Sequence, residues 1–536
     1  MGVWARSAAM QQSTNHPHLL CSDTMKKLRD LPYHPFFLAI YSILAMLAVN
    51  ISEVKASVIL RPLILLLAGT ILLLGGLRWM LKDWTKAGYL TSIWLLLFIT
   101  YGHIYHFFET QPSFGSALGR HRVLLPIYLV FAGIGFWWVW RAKKPGSHLN
   151  RILNWVTVFL LIVPTIQLAA FAINTTRGER EASQWTFSQP ALRPGDPDNL
   201  PDVYYIVLDT YTRSDALAED FSFDNSEFTS NLEDLGFYVA ECSQTNYPYT
   251  QGAITAALNL DYLSALNDRL RTANLEDNLW LLMKQSLVRH QLERLGYRTV
   301  AFETSYEWSR IKDADIFLGE ARPSIQWQQL DPFERMWGNS TALMIGNDLE
   351  VKSRTSVESG FAHPWADHIQ KQLFLLRSLP GITDNPDPTF TFAHILIPHV
   401  PYVFNANGEI QDDPGYFSTA QAGPVNEEYL QKGYTGEIAF INTQMQAILA
   451  EILKRSETPP IIVLMGDHGL RDNNRAKILY AVHLPDRAYS LLYPSISPVN
   501  TFRVIFDEYY GSSYGLLPDV TFMDDTTPVI APASCK

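Results

Sequence analysis

The sequence predicts two unlike halves. The first is an N-terminal α-helical membrane domain of about five spans, and the second an α/β domain with a central sheet covered by helices on both faces. Three observations carry this. Up to about position 175 the 536-residue chain is apolar and aromatic, and beyond it reads as an ordinary soluble protein. Within the first half, apolar stretches approach the ~20 residues that cross a bilayer. In the second, apolar runs of strand length alternate with stretches of helical period. A formal charge of −11 argues against nucleic acid, which selects basic surfaces. Cys21, Cys242 and Cys535 lie far apart without CxxC spacing, which leaves room for a single disulfide and indicates no zinc knuckle.

The apolar stretches are Phe36–Asn50, Val58–Leu77, Tyr89–Phe108, Val123–Trp140 and Ile152–Ile173, the first of them short. Lys26, Lys27 and Arg29 precede the first; Arg78, Lys82 and Lys86 follow the second; Arg141, Lys143, Lys144 and Arg151 separate the fourth and fifth. The alternate loops are less basic, so the positive-inside rule puts the N-terminus in the cytoplasm, and five crossings carry the rest of the chain to the outer face. The expected division is a cytoplasmic N-terminus over 1–35, a multi-pass transmembrane domain in the cell membrane over 36–173, a charged and Pro-rich linker over 174–200, and an outer domain over 201–536. His103 and His106 fall within the third span, where they either serve a polar headgroup or, as their aromatic neighbours favour, sit near the membrane surface.

In the outer domain "VYYIVL" (203–208), "TFTFAHIL" (389–396) and "PIIVLMG" (460–466) read as buried strands. The stretch 429–456 carries helical spacing, with Ile438, Ile441, Met445, Ile448 and Ile452 on one side. The run "IIVLMGDHGLR" ends by presenting Asp467 and His468 between Gly466 and Gly469, which suits either a tight turn or a metal ion. Asp209 likewise follows a strand, where open α/β sheets hold ligands, or else caps the next helix. His394 lies within its strand as a core histidine, whereas His399 sits on a turn between Pro398 and Pro401 and is the better functional candidate. Among Thr245, Thr250 and Thr255, Thr250 combines a helix N-terminus with a preceding Pro-stiffened segment. It reads as a cap or as a nucleophile. Thr255, inside the helix, is expected to bond back to a carbonyl four residues earlier. Asp209, Thr250, Asp467 and His468 together would complete the ligand shell of one tetrahedral divalent ion.

In that order, "IVLD", "NYPYT", "HILIPHVPY" and "IIVLMGDHG" resemble the alkaline phosphatase/sulfatase superfamily. Five spans ahead of an outer catalytic domain resemble, within it, the lipoteichoic-acid synthases and the lipid A phosphoethanolamine transferases. The resemblance covers residues 200 to about 510 and the layout of the spans. It implies an alkaline-phosphatase-like domain in which Asp209, Asp467 and His468 bind the metal and Thr250 is transiently phosphorylated; the single carboxylate from the first strand favours zinc or manganese over calcium. His399 would contact the transferred group or protonate the leaving oxygen. A membrane lipid would be the donor, and an envelope glycan or lipid the acceptor. The sulfatase Cys-x-Pro-x-Arg segment is missing, since Cys242 is followed by "SQTN", and Asp209 is followed by Thr210 rather than a second Asp. Only His483 follows the Asp-His pair, so a second metal is not indicated. Hydrolysis of phosphate or sulfate esters at the same site is the alternative reading, and a non-catalytic binding protein the third.

Overall fold

The computed structural model describes residues 31–51, 54–109, 120–142, 147–182, 192–196, 199–270, 279–319, 332–345, 365–417, 426–487, 489–523 and 528–530. Lys26, Lys27, Arg29, Lys143, Lys144, Cys21 and Cys535 lie outside these residues. The chain divides into two compact units: Met1–Val49, Ala56–Leu168 and Met336–Asp348 form one, and the remainder forms the other.

The first unit is helical: α1 (His34–Asn50), α2 (Leu60–Leu81), α3 (Trp84–Glu109), α4 (His121–Arg141) and, as far as Leu168, α5 (Ser147–Ala182). Four of these are long and apolar enough to cross a membrane, and α1 is a shorter apolar helix of 17 residues. The protein is therefore a multi-pass membrane protein. Its burial pattern fits that solvent, because large apolar side chains such as Leu72, Leu129, Phe131, Phe159 and Ile166 point outward. Inward, Leu38 and Ala39 of α1 meet Leu95 and Ile99 of α3, while Leu74 and Leu77 of α2 meet Ala87 and Leu90. On α3, His103 is exposed and His106 half-buried. Helix α5 continues to Ala182, so the linker expected from position 174 begins as helix. Its "RGEREA" is rich in good helix formers and keeps the turn going past the apolar stretch. A late stretch, Met336–Asp348, also belongs to this unit: the Ala342 amide donates to the Phe98 carbonyl at 2.9 Å. A side-chain carbon at Gly102 would lie 2.1 Å from the Asn339 carbonyl oxygen, so only glycine admits that backbone.

The second unit is built on a seven-stranded sheet, ordered β2-β7-β6-β1-β5-β3-β4. These are β1 (Val203–Leu208), β2 (Tyr238–Val239), β3 (Arg298–Phe302), β4 (Ile316–Leu318), β5 (Thr389–Ile395), β6 (Ile461–Gly466) and β7 (Tyr480–His483). Strands β6, β1, β5, β3 and β4 run parallel, and β7 and β2 close one edge antiparallel. The three expected strands are its three central ones. They are buried on both faces, which is why they read as continuous apolar runs rather than alternating ones. Tyr204, Ile206 and Leu208 serve the core on one face, and Val203, Tyr205 and Val207 the core on the other. A long helix, here α6 (Glu427–Arg455), covers the first face with Ile438, Ile441, Met445, Ile448 and Ile452.

Candidate metal centre

Register decides what meets at the sheet's end. Leu208 pairs with Gly466 on one side and Ile395 on the other, so the next residues out, Asp209 and Asp467, emerge side by side. This is the carboxyl end of adjacent parallel strands, where α/β sheets place ligands. The ligand atoms of Asp209, Asp467 and His468 lie within 4.8 Å of one another, and all three residues are buried. A side chain at Gly466 would lie 2.2 Å from the Tyr211 carbonyl oxygen, and one at Gly469 2.6 Å from that of Asn474. Glycine at both places lets the ligand-bearing segment pack directly against these two backbones.

The carboxylate of Asp467 is half satisfied. Its Oδ1 accepts from the Thr210 amide at 2.7 Å and the His468 amide at 2.8 Å. Its Oδ2 is buried with no hydrogen-bond partner and stands 3.6 Å from His468 Nε2. A bare buried carboxylate oxygen beside a second carboxylate and an imidazole nitrogen suits a cation. On His468, Nδ1 lies 2.9 Å from the Gly469 carbonyl, which only accepts. The ring proton therefore sits on Nδ1 and leaves the Nε2 lone pair facing the carboxylates, the tautomer that binds a metal. The donor set, two carboxylates and an imidazole, fits a zinc-like divalent ion.

Asp209 is oriented from two sides. Its Oδ1 accepts from the Thr210 hydroxyl at 2.9 Å, and its Oδ2 lies 3.2 Å from His394 Nε2. Burial pushes this carboxyl up, but His399, His394 and His468 more than offset that and hold it well below the usual carboxylate range. His394, expected as a plain core histidine, thus holds a candidate ligand. Its pairing across β1 was invisible in sequence, because Val207 and not Asp209 is its register partner. Nearby His368, on the helix Ala366–Ser378, is pushed down to about 3 by burial and then by His399, and stays neutral.

Thr250 is the first residue of the helix Thr250–Asn259, half-buried, with its Oγ1 3.4 Å from His468 Nε2. The leading amides of that helix have no intrahelical acceptors. Its neighbour Gly252 admits the Tyr249 ring, which a side chain there would meet at 2.6 Å. The other two threonines face elsewhere. Thr245 donates to the Tyr247 carbonyl at 3.0 Å, and Thr255 to the Leu279 carbonyl at 3.1 Å. The Thr255 contact corrects the expected bond four residues back. The hydroxyl instead reaches the end residue of a neighbouring helix (Leu279–Lys284), a tertiary partner that local sequence does not reveal. His399 sits half-buried between the Ile397-Pro398 and Val400-Pro401 peptides, with Nδ1 2.6 Å from the Val400 carbonyl, so Nε2 is the nitrogen left to act.

Fold and site define a class: a multi-pass membrane protein carrying an α/β domain with a cluster of candidate metal ligands at the ends of its central strands. No protein-family model and no curated protein matches the chain. Among solved structures, it is similar to the C-terminal periplasmic domain of EcEptC from Escherichia coli in complex with Zn, at 11% identity and TM-score 0.39, over 64% of this chain and 96% of that one. It is also similar to the integral membrane lipooligosaccharide phosphoethanolamine transferase A of Neisseria meningitidis, at 10% identity and TM-score 0.37, over 89% and 95%. A putative sulfatase from Bacteroides thetaiotaomicron follows at 12% identity and TM-score 0.35, over 61% and 74%.

Proposed function

We propose that this protein is a metal-dependent transferase that moves a phosphate-linked group from a membrane lipid through a phosphothreonine at Thr250. The observation that carries the reading is the approach of the Thr250 hydroxyl to His468 Nε2 at 3.4 Å, beside the bare, buried Oδ2 of Asp467. Asp209, Asp467, His468 and the Thr250 oxygen would hold the ion. A divalent ion there supplies the charge that lets the Thr250 hydroxyl shed its proton to water near neutral pH and offsets negative charge on the phosphoryl oxygens. Thr250 Oγ1 attacks phosphorus and forms a new P–O bond as the bond to the lipid oxygen breaks. His399, entering as the imidazolium with its Nδ1 proton on the Val400 carbonyl, gives that leaving oxygen its Nε2 proton. The leading amides of the Thr250 helix face the phosphoryl group of the adduct. An acceptor hydroxyl then attacks phosphorus, loses its proton to His399 and frees Thr250.

We place this chemistry on the outer face of the cell membrane. The distribution of basic loops supports it, as does Cys242, which is disulfide-bonded, a state that persists in oxidising compartments. The test is turnover by the full chain in vesicles of phosphatidylethanolamine or phosphatidylglycerol, read as diacylglycerol release. Thr250→Ala is expected to lose at least ~10³-fold, the scale for removing a covalent nucleophile. Release at the wild-type rate in that variant would sink the mechanism.

A further inference from the structure

We propose that Tyr434, on the long helix behind the sheet, is a positioning residue that locks the two ligand-bearing loops into one metal-competent arrangement. The inference rests on the metal reading above. Tyr434 is fully buried, and its ring packs between Phe221 at 4.9 Å and Tyr402 at 6.3 Å between centroids. At Gly433 a side chain would lie 2.4 Å from the Tyr402 ring, so the helix is admitted to this depth only because glycine precedes the tyrosine. Burial raises the phenol well above its ordinary value, so it stays a neutral hydroxyl.

That hydroxyl reaches both loops. It lies 2.8 Å from the Thr210 carbonyl and 2.8 Å from the Thr212 hydroxyl, and it accepts from the Thr212 amide at 3.1 Å. A phenol has one proton, and the carbonyl can only accept it, so the contact with Thr212 is donated by the threonine hydroxyl. Thr212 Oγ1 in turn accepts from the Leu470 amide at 3.0 Å. The chain of bonds therefore runs one way, from Leu470 through Thr212 and Tyr434 to Thr210, and each bond polarises the next.

Its two ends are the two ligand loops. Leu470 lies two residues after His468, and Thr210 directly follows Asp209. Thr210 has φ 65°, a left-handed backbone that a β-branched residue adopts only under constraint. In that conformation its amide points at Asp467 Oδ1, 2.7 Å away, while its side chain holds Asp209. Tyr434 anchors the Thr210 carbonyl and with it this posture. Tyr434 acts on the ligands through these partners. The expected effect is on how well the ligands are held together, and outer partners of metal ligands typically change affinity by about 10–100-fold.

The test is zinc affinity of the full chain in detergent, stripped of metal and titrated against a competing chelator. Tyr434→Phe and Thr212→Val are each expected to weaken binding about 10–100-fold. The double variant should be no weaker than either alone, because both cut the same bridge. Thr212→Ser, which keeps the hydroxyl, should bind as the wild type does. Thermal unfolding without metal confirms which variants are folded, and Thr212→Val with its serine partner carries the test if Tyr434→Phe is not. Wild-type affinity in Tyr434→Phe or Thr212→Val would overturn the inference alone, as would additive losses in the double variant. A wild type that takes up no zinc would overturn the metal reading together with it.

Discussion

Asp467 offers one carboxylate oxygen to two amides and leaves the other bare, and on that oxygen the account of the site turns. Asp467→Ala and His468→Ala should each abolish stoichiometric metal, read by elemental analysis of purified protein. Metal retained in both would show that these residues hold something else. His394→Ala is expected to weaken metal binding by about 10–100-fold rather than only to lower stability, because its ring holds Asp209 Oδ2 at 3.2 Å. Unchanged affinity with a lowered Tm would return His394 to a core role. At this scale sequence showed the residues that end strands, since a carboxylate after an apolar run is conspicuous. It did not show Thr210, Thr212, Tyr434 or His394, whose roles come from partners on other strands and helices.

Among the elements, the long helix does more than cover the sheet. Glu437, one turn beyond Gly433, is fully buried, and its Oε1 accepts from the Val403 amide at 2.7 Å and the Phe404 amide at 3.2 Å. It thereby ties down the segment that follows His399. Burial, the largest influence, raises this carboxyl well above its ordinary 4.5, only partly offset by the two amides. The fold therefore favours the protonated carboxyl, whereas the unfolded chain ionises it above the ordinary 4.5. Its contribution to stability is present in full below that pH and is lost as pH rises toward the folded value. Glu437→Gln should therefore raise the Tm of the α/β unit relative to wild type at pH 8 and leave it nearly unchanged at pH 4. Equal shifts at both would mean that the carboxyl is not protonated in the fold. The apolar stripe of this helix was legible from spacing. The glutamate buried among it was not, since a charged residue one turn from Ile441 reads as solvent-facing.

For the molecule as a whole, five apolar helices and a seven-stranded sheet were foreshadowed by two contrasts, hydropathy between the halves and continuous apolar runs within the second. The antiparallel edge formed by β7 and β2 was not, because two- and four-residue strands carry little pattern. Nor was the membership of Met336–Asp348 in the helical unit, which depends on the absent side chain of Gly102. The proposed topology requires everything after the fifth span to face outward. A periplasm-active reporter fused after Lys536 should be active, and activity only from a cytoplasm-active reporter would reverse the orientation.

The central claim is that Thr250 becomes covalently phosphorylated. Full-length protein incubated with a phospholipid donor and quenched before acceptor is added should yield, by peptide mass spectrometry, an adduct on Thr250. An adduct on Thr245 or Thr255, or turnover with no adduct on this segment at any quench time, would contradict the account.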